Sequence, residues 1–419
     1  MVITACVALG LCFILSVSQI GVVLAFVRRF GSARPTDSAP QTRPRAAVIL
    51  ALRGPDPYLS DCLSRLLKQD YEDYSIFVVV DHAKDPVLRD VEALRANDAS
   101  ERLNICVLES PHTTCSLKCS SLIKALEQID ETYEVAAFLD GDVLPHATWL
   151  AELVSPLADE SVGVATGNRW YVPSGRRWGS WIRYCWNAGA VVQVWLNRIT
   201  WAGSMAMRIS TIHKVELLAA WQRAFVDDAT VHRKMHEHGL RVHFVPTVMM
   251  VNREEITTGS FVRWVQRQLL AAKSCGSGWR FVGLHALNLA VTQGLSIAMV
   301  ATGVIAGNVP VAVIAGSGIA TYWGSSLLAI LIIELAIRRT VALHGEPIRW
   351  QGWGDLLRVS AAMLLTQVLY PFALATALCK RTVSWRGIEY RIHGDRDVEM
   401  VAYHPYVSPS GTDPTESVI

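Results

Sequence analysis

Two pairs of acidic residues in this chain could do chemistry. Asp140 and Asp142, separated by one glycine, follow the apolar run 135–139, and Asp227 and Asp228 are adjacent at the start of a helical pattern. Carboxylates held together at a turn suit Mg²⁺ or Mn²⁺, which bind through one or two carboxylates and substrate phosphates. Two adjacent carboxylates can also divide their roles, so that one holds the site and the other acts as a general base. Each pair has a simpler interpretation, because Asp-Gly is common in turns and acidic residues favour helix starts.

A segment of basic and aromatic residues follows, with the sequence FVRWVQRQ over positions 261–268. An Arg of this segment could hold a diphosphate through two parallel hydrogen bonds, and Trp264 and Gln268 could face the same cleft. The segment also suits an amphipathic helix that lies at a membrane surface, with Arg and Trp among the headgroups. Both interpretations can hold together, and we predict an interfacial helix over residues 261–280.

These side chains fall within a stretch, residues 46–273, whose short apolar runs alternate with helical patterns. Strands that alternate with helices predict an α/β domain with a mostly parallel, doubly wound sheet and helices on both faces. Ligands of such sheets bind beyond the carboxyl ends of the strands, where Asp81 and Asp140 are expected. The predicted strands cover residues 46–52, 74–81, 103–109 and 135–140.

The remaining segments are apolar enough to require lipid. The chain is 51% hydrophobic and only 18% charged, whereas soluble proteins carry about a quarter charged residues. A membrane-spanning helix needs about 20 apolar residues, and several stretches meet this requirement. From these lengths we predict an N-terminal transmembrane anchor at 1–29, a linker at 30–45, two transmembrane helices within 281–337, a third C-terminal membrane segment at 355–380 and a polar tail at 381–419.

The basic residues that flank these segments predict their orientation. Arg28 and Arg29 follow the anchor, so the positive-inside rule places the α/β domain in the cytoplasm. If segment 355–380 spans the bilayer, the arginine-containing tail lies outside, against the same rule. A break at Pro371 would instead make the segment a re-entrant pair and return the tail to the cytoplasm, and we favour this form.

Composition and spacing argue against several other classes of protein. The net charge of +2, without clustered Lys and Arg, does not suit a nucleic-acid binder. Nine cysteines form no evident disulfide framework, which suits a reducing compartment, and Cys115 and Cys119 lack the second pair that structural zinc requires. A transporter is disfavoured because the polar domain is large and the apolar runs have no central ionisable residue.

The order of these motifs resembles that of the inverting glycosyltransferases of families 2 and 21, in particular the ceramide glucosyltransferase-like branch with its bacterial lipid glycosyltransferases. That family has an Asp after its second strand, a helical Lys, D-x-D, an acidic pair and a Q/R-x-x-R-W motif before membrane segments. The corresponding residues here, in the same order, are Asp81, Lys118, Asp140-Gly-Asp142, Asp227-Asp228 and Trp264-x-x-Arg267-Gln268.

The tail extends this resemblance, which covers residues 46–392. Its sequence SWRGIEY at 384–390 is similar to the W-R-G-x-x-Y ending of the bacterial lipid enzymes. The chain departs from the family pattern in its Asp-Asp pair, where Glu-Asp is usual, and in Gln268, which replaces the final Trp. Arg263 offers a rival register for the arginine motif, but the spacing from the preceding strand favours Arg267.

The resemblance implies a GT-A type fold and a membrane glycosyltransferase that moves a hexose, with inversion, from a nucleotide sugar to the hydroxyl of a lipid acceptor such as ceramide. The implied donor is a UDP-sugar, the cofactor is Mg²⁺ or Mn²⁺, and the location is a bacterial-type inner or plasma membrane. A processive polysaccharide synthase is the alternative, although such enzymes usually have more spans. An inactive membrane-tethered relative would be expected to lack Asp142 or Asp228, and both are present.

The resemblance also implies a role for each site residue. Asp81 and Asp140 would hold the base and ribose with Lys118 nearby, and Asp142, with Asp140, would bind the metal. Asp228, next to Asp227, would deprotonate the acceptor hydroxyl. The residues implied to contact the diphosphate or the sugar are Arg267, which would stabilise the departing diphosphate, Trp264 and Gln268 beside it, and Gly203 and Ser204 in a loop that approaches the sugar.

Overall fold

The computed structural model describes residues 1–31, 43–97, 101–273, 278–348, 352–394 and 396–406. Most of the predicted linker at 30–45 and the end of the predicted tail, from residue 407, lie outside the described residues. Within the described ranges, a long apolar helix, α1 (Val2–Gly31), precedes an α/β domain, and three further apolar helices and a small sheet follow it.

Seven strands form the central sheet of the domain: β1 (Ala46–Leu52), β2 (Tyr74–Val80), β3 (Leu103–Val107), β4 (Val135–Leu139), β5 (Val162–Tyr171), β6 (Ser204–Arg208) and β7 (Arg241–Asn252). Their order across the sheet is β3-β2-β1-β4-β6-β5-β7. All neighbouring strands are parallel except β6, which is antiparallel to β4 and β5. The predicted mostly parallel sheet is therefore confirmed.

Helices cover both faces of this sheet. They are α2 (Leu59–Leu66), α3 (Val87–Ala96), α4 (Leu117–Glu127), α5 (Trp149–Val154), α6 (Trp178–Leu196), α7 (Ile209–Lys214), α8 (Leu217–Trp221), α9 (Asp227–Glu237) and α10 (Thr258–Lys273). Alternate residues of a strand point to opposite faces, so Val48 and Leu50 of β1 pack with α2, α3 and α5, whereas Ala47 and Ile49 pack with α4, α6 and α8. The core that contains Ala47 and Ile49 continues into the apolar helices and so joins the domain to them.

The strand directions bring the chemistry-bearing residues to one edge of the sheet. Asp81 follows β2 and Asp140 follows β4, and these two parallel strands flank β1. β6 runs the other way and begins at that edge, with Gly203 directly before it. Topology therefore gathers residues that are more than a hundred positions apart in the chain.

In the part of the chain that the structure describes, four helices are long and apolar enough to cross a membrane: α1, α11 (Gly278–Ile305), α12 (Val309–Ala342) and α13 (Trp353–Cys379). The first three pack side by side, since Cys12, Leu289 and Tyr322 form one apolar cluster. Gln19 of α1 donates hydrogen bonds to the hydroxyls of Ser325 and Ser326 in α12, at 3.2 and 3.1 Å. The predicted anchor and the two predicted spans each correspond to one of these helices.

The break predicted at Pro371 does not occur, because α13 is one continuous helix with that proline in its interior. Proline removes one backbone hydrogen bond, but packing against neighbours can hold such a helix together in apolar surroundings. Residues on both sides of Pro371 have partners: Thr366 donates to the carbonyl of Ile182 at 3.5 Å, and Thr376 accepts from Gln266 at 2.7 Å. The prediction of a re-entrant pair is therefore wrong.

α13 nevertheless returns the tail to the α/β domain, because it packs against that domain near both of its ends. Near its start, the guanidinium of Arg358 lies 5.8 Å from the ring centroid of Trp181 in α6. Just beyond its end, Lys380 donates to the side chain of Gln266 in α10 at 2.6 Å. The helix therefore lies along the domain. Its outer face exposes large apolar side chains, including Leu357, Val368 and Phe372.

The tail forms a three-stranded antiparallel sheet of β8 (Thr382–Trp385), β9 (Ile388–Gly394) and β10 (Asp397–Ala402). Arg386 and Gly387 form the turn between β8 and β9, with φ values of 46° and 77°. Two consecutive positive φ values give the tight turn whose twist matches that of the flanking strands. The backbone N–H of Leu117 donates to the hydroxyl of Tyr390 at 3.2 Å, which docks the sheet on the start of α4.

We expect the tail and the α/β domain to lie on the same side of a membrane. Single cysteines would be introduced into a variant without the nine native cysteines. The exposed positions are Asp130→Cys in the domain, Glu389→Cys in the tail and Ala306→Cys between α11 and α12. An impermeant maleimide applied to intact cells should label both Asp130→Cys and Glu389→Cys or neither of them, and Ala306→Cys should give the opposite result. Matching behaviour of Glu389→Cys and Ala306→Cys would contradict the arrangement.

Candidate active site

One lysine joins the two acidic pairs. Lys118 lies in the first turn of α4, whose N-terminus is capped by the hydroxyl of Ser116, which accepts from the backbone N–H of Cys119 at 3.3 Å. The Nζ of Lys118 lies 2.7 Å from Oδ1 of Asp140 and 3.0 Å from Oδ2 of Asp227. The D-x-D segment after β4 and the acidic start of α9 are thereby held at one point.

Burial and neighbouring charges set the protonation of these groups. Burial alone would lower the pKa of Lys118, but Asp140 and Asp227 outweigh it and raise that pKa. Burial would raise the pKa of Asp140, but Lys118 outweighs it and lowers that pKa. The pKa of Asp142 is raised by burial and by Asp140. Asp140 is therefore held ionised by the lysine, whereas Asp142 is a carboxylate whose charge a further cation would stabilise.

Asp228 has the environment of a base that works near neutral pH. Its Oδ1 accepts from the backbone N–H of Ala229 at 2.7 Å, and its Oδ2 accepts from that of Ala202 at 3.3 Å. Burial and the adjacent Asp227 raise the pKa of Asp228 to about 7, against the lowering effect of Lys118. A carboxyl group with this pKa can both accept and release a proton near neutrality.

The loop before β6 brings backbone close to Asp140. The carbonyl of Gly203 accepts from the backbone N–H of Asp140 at 3.3 Å, and a Cβ at Gly203 would lie 2.1 Å from the ring of Trp201 and 2.8 Å from Oδ2 of Asp140. Only glycine fits there. Ser204, expected beside the sugar, is instead fully buried, and its hydroxyl accepts from the indole N–H of Trp149 at 2.8 Å. Its hydroxyl therefore holds the base of the loop.

Three arginines converge on the carboxylates from separate elements. Arg169 belongs to β5, Arg267 to α10, and Arg386 to the turn of the β8–β9 hairpin. Arg169 and Arg386 both interact electrostatically with Asp140 and Asp142. Burial and the like charges of Arg169 and Arg386 lower the pKa of Arg267 to about 10. Cations gathered in this way suit a ligand with several negative charges, such as a diphosphate.

Aromatic rings support these arginines. The guanidinium of Arg169 lies 5.6 Å from the ring centroid of Trp264, and that of Arg267 lies 5.2 Å from Trp385. Trp264, expected at the cleft, is only 4% exposed, so it supports Arg169 from the core. Trp385 precedes Arg386 in the tail, so the hairpin contributes both a ring and a cation.

The structure of α10 also distinguishes the two candidates for the arginine of the motif. Arg267 belongs to the arginine group, whereas Arg263 is exposed and donates to the hydroxyl of Ser260 at 3.0 Å. Gln268, expected near the donor, is half-buried next to Arg267. Gln266, which sequence reasoning did not select, instead bonds to α13.

The hairpin tip fastens Arg386 to the end of β1. Nη1 of Arg386 donates to the carbonyl of Arg53 at 2.7 Å, and Nε of Arg53 donates to the carbonyl of Arg386 at 2.9 Å. Nη2 of Arg386 lies 3.8 Å from Oδ2 of Asp56. Burial and Asp142 raise the pKa of Asp56 to about 6, so this carboxylate belongs to the same acidic group.

Asp81 lies beneath the end of the tail. Its fully buried carboxylate forms an ion pair with Arg53 and accepts from the hydroxyl of Tyr403 at 3.0 Å. The ring of Tyr406 lies so close to Gly54 that a Cβ there would be 2.5 Å from it. Both carboxylate oxygens of Asp81 therefore have protein partners, at a position where sequence reasoning expects a nucleotide.

The carboxylates around Asp142 suit a divalent cation. Asp142 raises the pKa of Asp56, and Asp140 and Glu254 raise that of Asp142, so several carboxylates lie close together here. Asp140, predicted as the second metal ligand, has one oxygen committed to Lys118. Clustered carboxylate oxygens are the ligands of Mg²⁺ and Mn²⁺, so these residues fit the predicted cofactor.

Sequence reasoning missed Asp56, Arg169 and Glu254. None of them belongs to a motif that stands out by itself. Asp56 and Glu254 follow β1 and β7, whose carboxyl ends lie at the edge that holds Asp140. A search for charged residues shortly after every strand would therefore have found both acids.

A cavity of about 730 Å³ lies at the opposite edge of the sheet. It is bordered by Pro44, two residues before β1, by Glu134, directly before β4, and by Arg208 at the end of the antiparallel β6. Its lining contains none of the acidic and basic groups described above. We therefore assign the chemistry to the carboxyl edge, where the charged groups converge.

We expect Asp228→Asn to stabilise the protein above neutral pH. Because burial and Asp227 raise this pKa from 3.8 to about 7, the wild type loses stability as the pH rises from about 4 to about 7. The Tm of the variant should exceed that of the wild type at pH 8, and the difference should shrink at pH 4. Asp90→Asn, which replaces an exposed acid of α3, is the matched control. Its Tm difference from the wild type should not change with pH. Equal Tm values for Asp228→Asn and wild type at both pH values would contradict the assigned environment.

Comparisons with known proteins were made with the structure and the sequence. The mannosyltransferase PcManGT from Pyrobaculum calidifontis, in complex with GDP-Man and Mn²⁺, is 19% identical over 89% of this chain and 98% of its own, with a TM-score of 0.47. Glucosyl-3-phosphoglycerate synthase of M. tuberculosis is 16% identical over 58% of this chain and 87% of its own, with a TM-score of 0.39. A search of curated protein sequences found no match.

The family comparison covers nearly the whole chain. The profile described as glycosyl transferase family 21 matches residues 9–398, from within α1 to within β10. The mostly parallel sheet with helices on both faces is the predicted GT-A type architecture. The chain therefore belongs to glycosyl transferase family 21 and is a glycosyltransferase.

Proposed function

We propose that this glycosyltransferase moves a hexose, with inversion, from a UDP-sugar to the hydroxyl of a lipid such as ceramide or a related lipid. One observation carries the proposal: Asp228, whose pKa is about 7, shares a half-buried site with Asp142 and three arginines. Such a site combines a base for an acceptor hydroxyl with cations for a departing diphosphate.

The donor's diphosphate would lie among the arginines. Arg267 would stabilise the negative charge that develops as the bond to the sugar breaks, with Arg169 and Arg386 beside it. Asp142, with Asp140, would hold a Mg²⁺ or Mn²⁺ ion, which when bound would neutralise diphosphate charge. Burial of the arginines strengthens these interactions, because low-dielectric surroundings screen charge less than water does.

The nucleoside would occupy the end of β2. Asp81 would accept a hydrogen bond from the base or ribose in place of the one it accepts from Tyr403. Lys118 would keep Asp140 ionised and in position, since its Nζ lies 2.7 Å from that carboxylate. Gly203 would let the sugar approach the backbone beside Asp140, where any side chain would clash.

The acceptor would react at Asp228. This carboxylate would remove the proton of the hydroxyl while the oxygen forms its bond to the anomeric carbon and the bond to the diphosphate breaks. Attack opposite the leaving group inverts the configuration of that carbon. Asp227 supports this role indirectly, because its charge helps to raise the pKa of Asp228 to about 7.

A lipid acceptor is supported by the position of the site beside the apolar helices. Arg267 belongs to α10, whose Gln266 bonds to Thr376 of α13 at 2.7 Å. A lipid could therefore present its headgroup hydroxyl to the site while its chains remain beside α11 and α13. Arg28 and Arg29 at the end of α1 support a cytoplasmic location of the α/β domain.

The proposal is tested with full-length protein purified in detergent. Radiolabelled UDP-glucose, UDP-galactose and UDP-N-acetylglucosamine would be supplied separately with total lipid extract and Mg²⁺ or Mn²⁺. One of them should label an extractable lipid, and excess EDTA should abolish the labelling. Full activity in EDTA would contradict the metal, and labelled polymer in place of lipid would favour a processive polysaccharide synthase.

Asp228→Asn is the matched variant in this assay. Turnover should fall by about 10²–10⁴-fold, the usual contribution of one well-placed base, whereas UDP binding should persist. UDP binding distinguishes loss of the base from loss of the donor site. Wild-type turnover in Asp228→Asn would contradict its role and make Asp227 the next candidate.

We also expect Arg386→Gln to weaken the donor's diphosphate contacts. A hydrogen bond to a charged group contributes about 1.5–3 kcal/mol, so the Kd for UDP should rise by about 10–100-fold. Binding of uridine, which lacks the diphosphate, should not change. Arg391→Gln is the control, because Arg391 lies in the same hairpin but pairs with Glu399 on the surface. An equal weakening of UDP and uridine would point to a disturbed hairpin rather than a lost phosphate contact.

A further inference from the structure

Two histidines and a glutamate form a buried cluster where α12 meets the α/β domain. His146 precedes α5, Glu152 lies within α5, and His344 follows the end of α12. The two imidazole rings are stacked, with centroids 3.6 Å apart and planes at 15°. One ligand atom from each of the three side chains lies within 4.8 Å of the other two. None of these residues belongs to the group around Lys118.

The hydrogen bonds of Thr148 determine which atoms of the cluster are lone-pair donors. Its hydroxyl donates to Oε1 of Glu152 at 2.6 Å and also contacts Nδ1 of His146 at 3.1 Å. Since a hydroxyl has only one hydrogen, the second bond must be donated by Nδ1–H of His146. The Nε2 of His146 therefore carries a lone pair.

Three buried atoms in this cluster have no hydrogen-bond partner among the residues that the structure describes. They are Nε2 of His146, Oε2 of Glu152 and Nε2 of His344, and the side chains are 7%, 2% and 7% exposed. The Nε2 of His344 lies 3.8 Å from Oε2 of Glu152, which is too long for a hydrogen bond. Two of the three atoms can only accept. Buried acceptors this close together need a hydrogen-bond donor or a cation as a partner.

We propose that His146, Glu152 and His344 bind a divalent transition-metal ion, for which Zn²⁺ is the best match. Two imidazole nitrogens and one carboxylate oxygen form a ligand set that Zn²⁺ prefers, whereas Mg²⁺ selects oxygen donors. The bond from His146 to Thr148 is the kind of outer contact that orients a histidine ligand. A cavity of about 10 Å³, close to the smallest that holds one water, borders both histidines.

The ion would fasten α12 to the α/β domain. His146 and Glu152 belong to the segment that follows the D-x-D motif, and His344 to the chain that leaves the membrane helix. Close by, Glu346 pairs with Arg65 of α2 at 2.7 Å and with Arg253 at 3.4 Å, so ion pairs already join the same two parts. The metal would add a bond between them that does not depend on the transfer reaction.

The test measures metal content and stability without any activity assay. Full-length protein in detergent would be passed over a chelating resin and mixed with one equivalent of Zn²⁺, or with Co²⁺ as a spectroscopic probe. The wild type should retain one Zn²⁺ per chain, gain Tm on its addition and show the visible absorption of four-coordinate Co²⁺. Excess Mg²⁺ should displace neither ion.

Variants separate this site from the active site. Glu152→Gln and His344→Ala should lose the Zn²⁺, the rise in Tm and the Co²⁺ spectrum, and Thr148→Val should weaken Zn²⁺ binding by about 10–100-fold. Asp142→Asn and His238→Ala, at an exposed histidine of the same chain, should retain all three. If His344→Ala does not fold, Thr148→Val still tests the proposal. A wild type that retains no Zn²⁺ and gains no Tm, or a Zn²⁺ signal lost in Asp142→Asn instead, would overturn it.

Discussion

The contacts of Lys118 with Asp140 and Asp227 are the constraint on which the rest of the site depends. They tie the loop after β4 to the start of α9, two segments that the sheet brings to one edge but does not itself join. The same charges separate the carboxylates by role. Asp140 stays ionised beside the lysine, while Asp228 is left with a pKa of about 7. One buried cation thus arranges both a binding group and a base.

The tail is the second determinant of the site, although it lies at the far end of the chain. Its hairpin inserts Arg386 beside Asp56 and places Trp385 under Arg267. The tail reaches this position because α13 lies along the α/β domain and ends at Gln266 of α10. Membrane attachment and the anion site therefore share structural elements, which explains why α10, a helix of the domain, leads into the apolar segments.

The chain combines two kinds of metal chemistry in our proposals, and the ligand types keep them apart. The acidic group around Asp142 offers several hard oxygen donors, which suits Mg²⁺ or Mn²⁺. The cluster at the end of α12 offers two imidazoles and one carboxylate in a buried position, which suits Zn²⁺. A metal ion at the acidic group would take part in sugar transfer. A Zn²⁺ ion at the cluster would join α12 to the α/β domain.

The sequence by itself determined the fold class, the carboxylates at strand ends and the position of the apolar segments. These follow from local periodicity, from strand-helix alternation and from the length of apolar runs, which are visible in short windows. Only the tertiary structure decided that Asp56, Arg169 and Arg386 join the site, that Ser204 and Trp264 are buried in the core, and that α13 continues through Pro371. These features arise from contacts between segments distant in the chain, and packing on both sides of a proline can override its local preference.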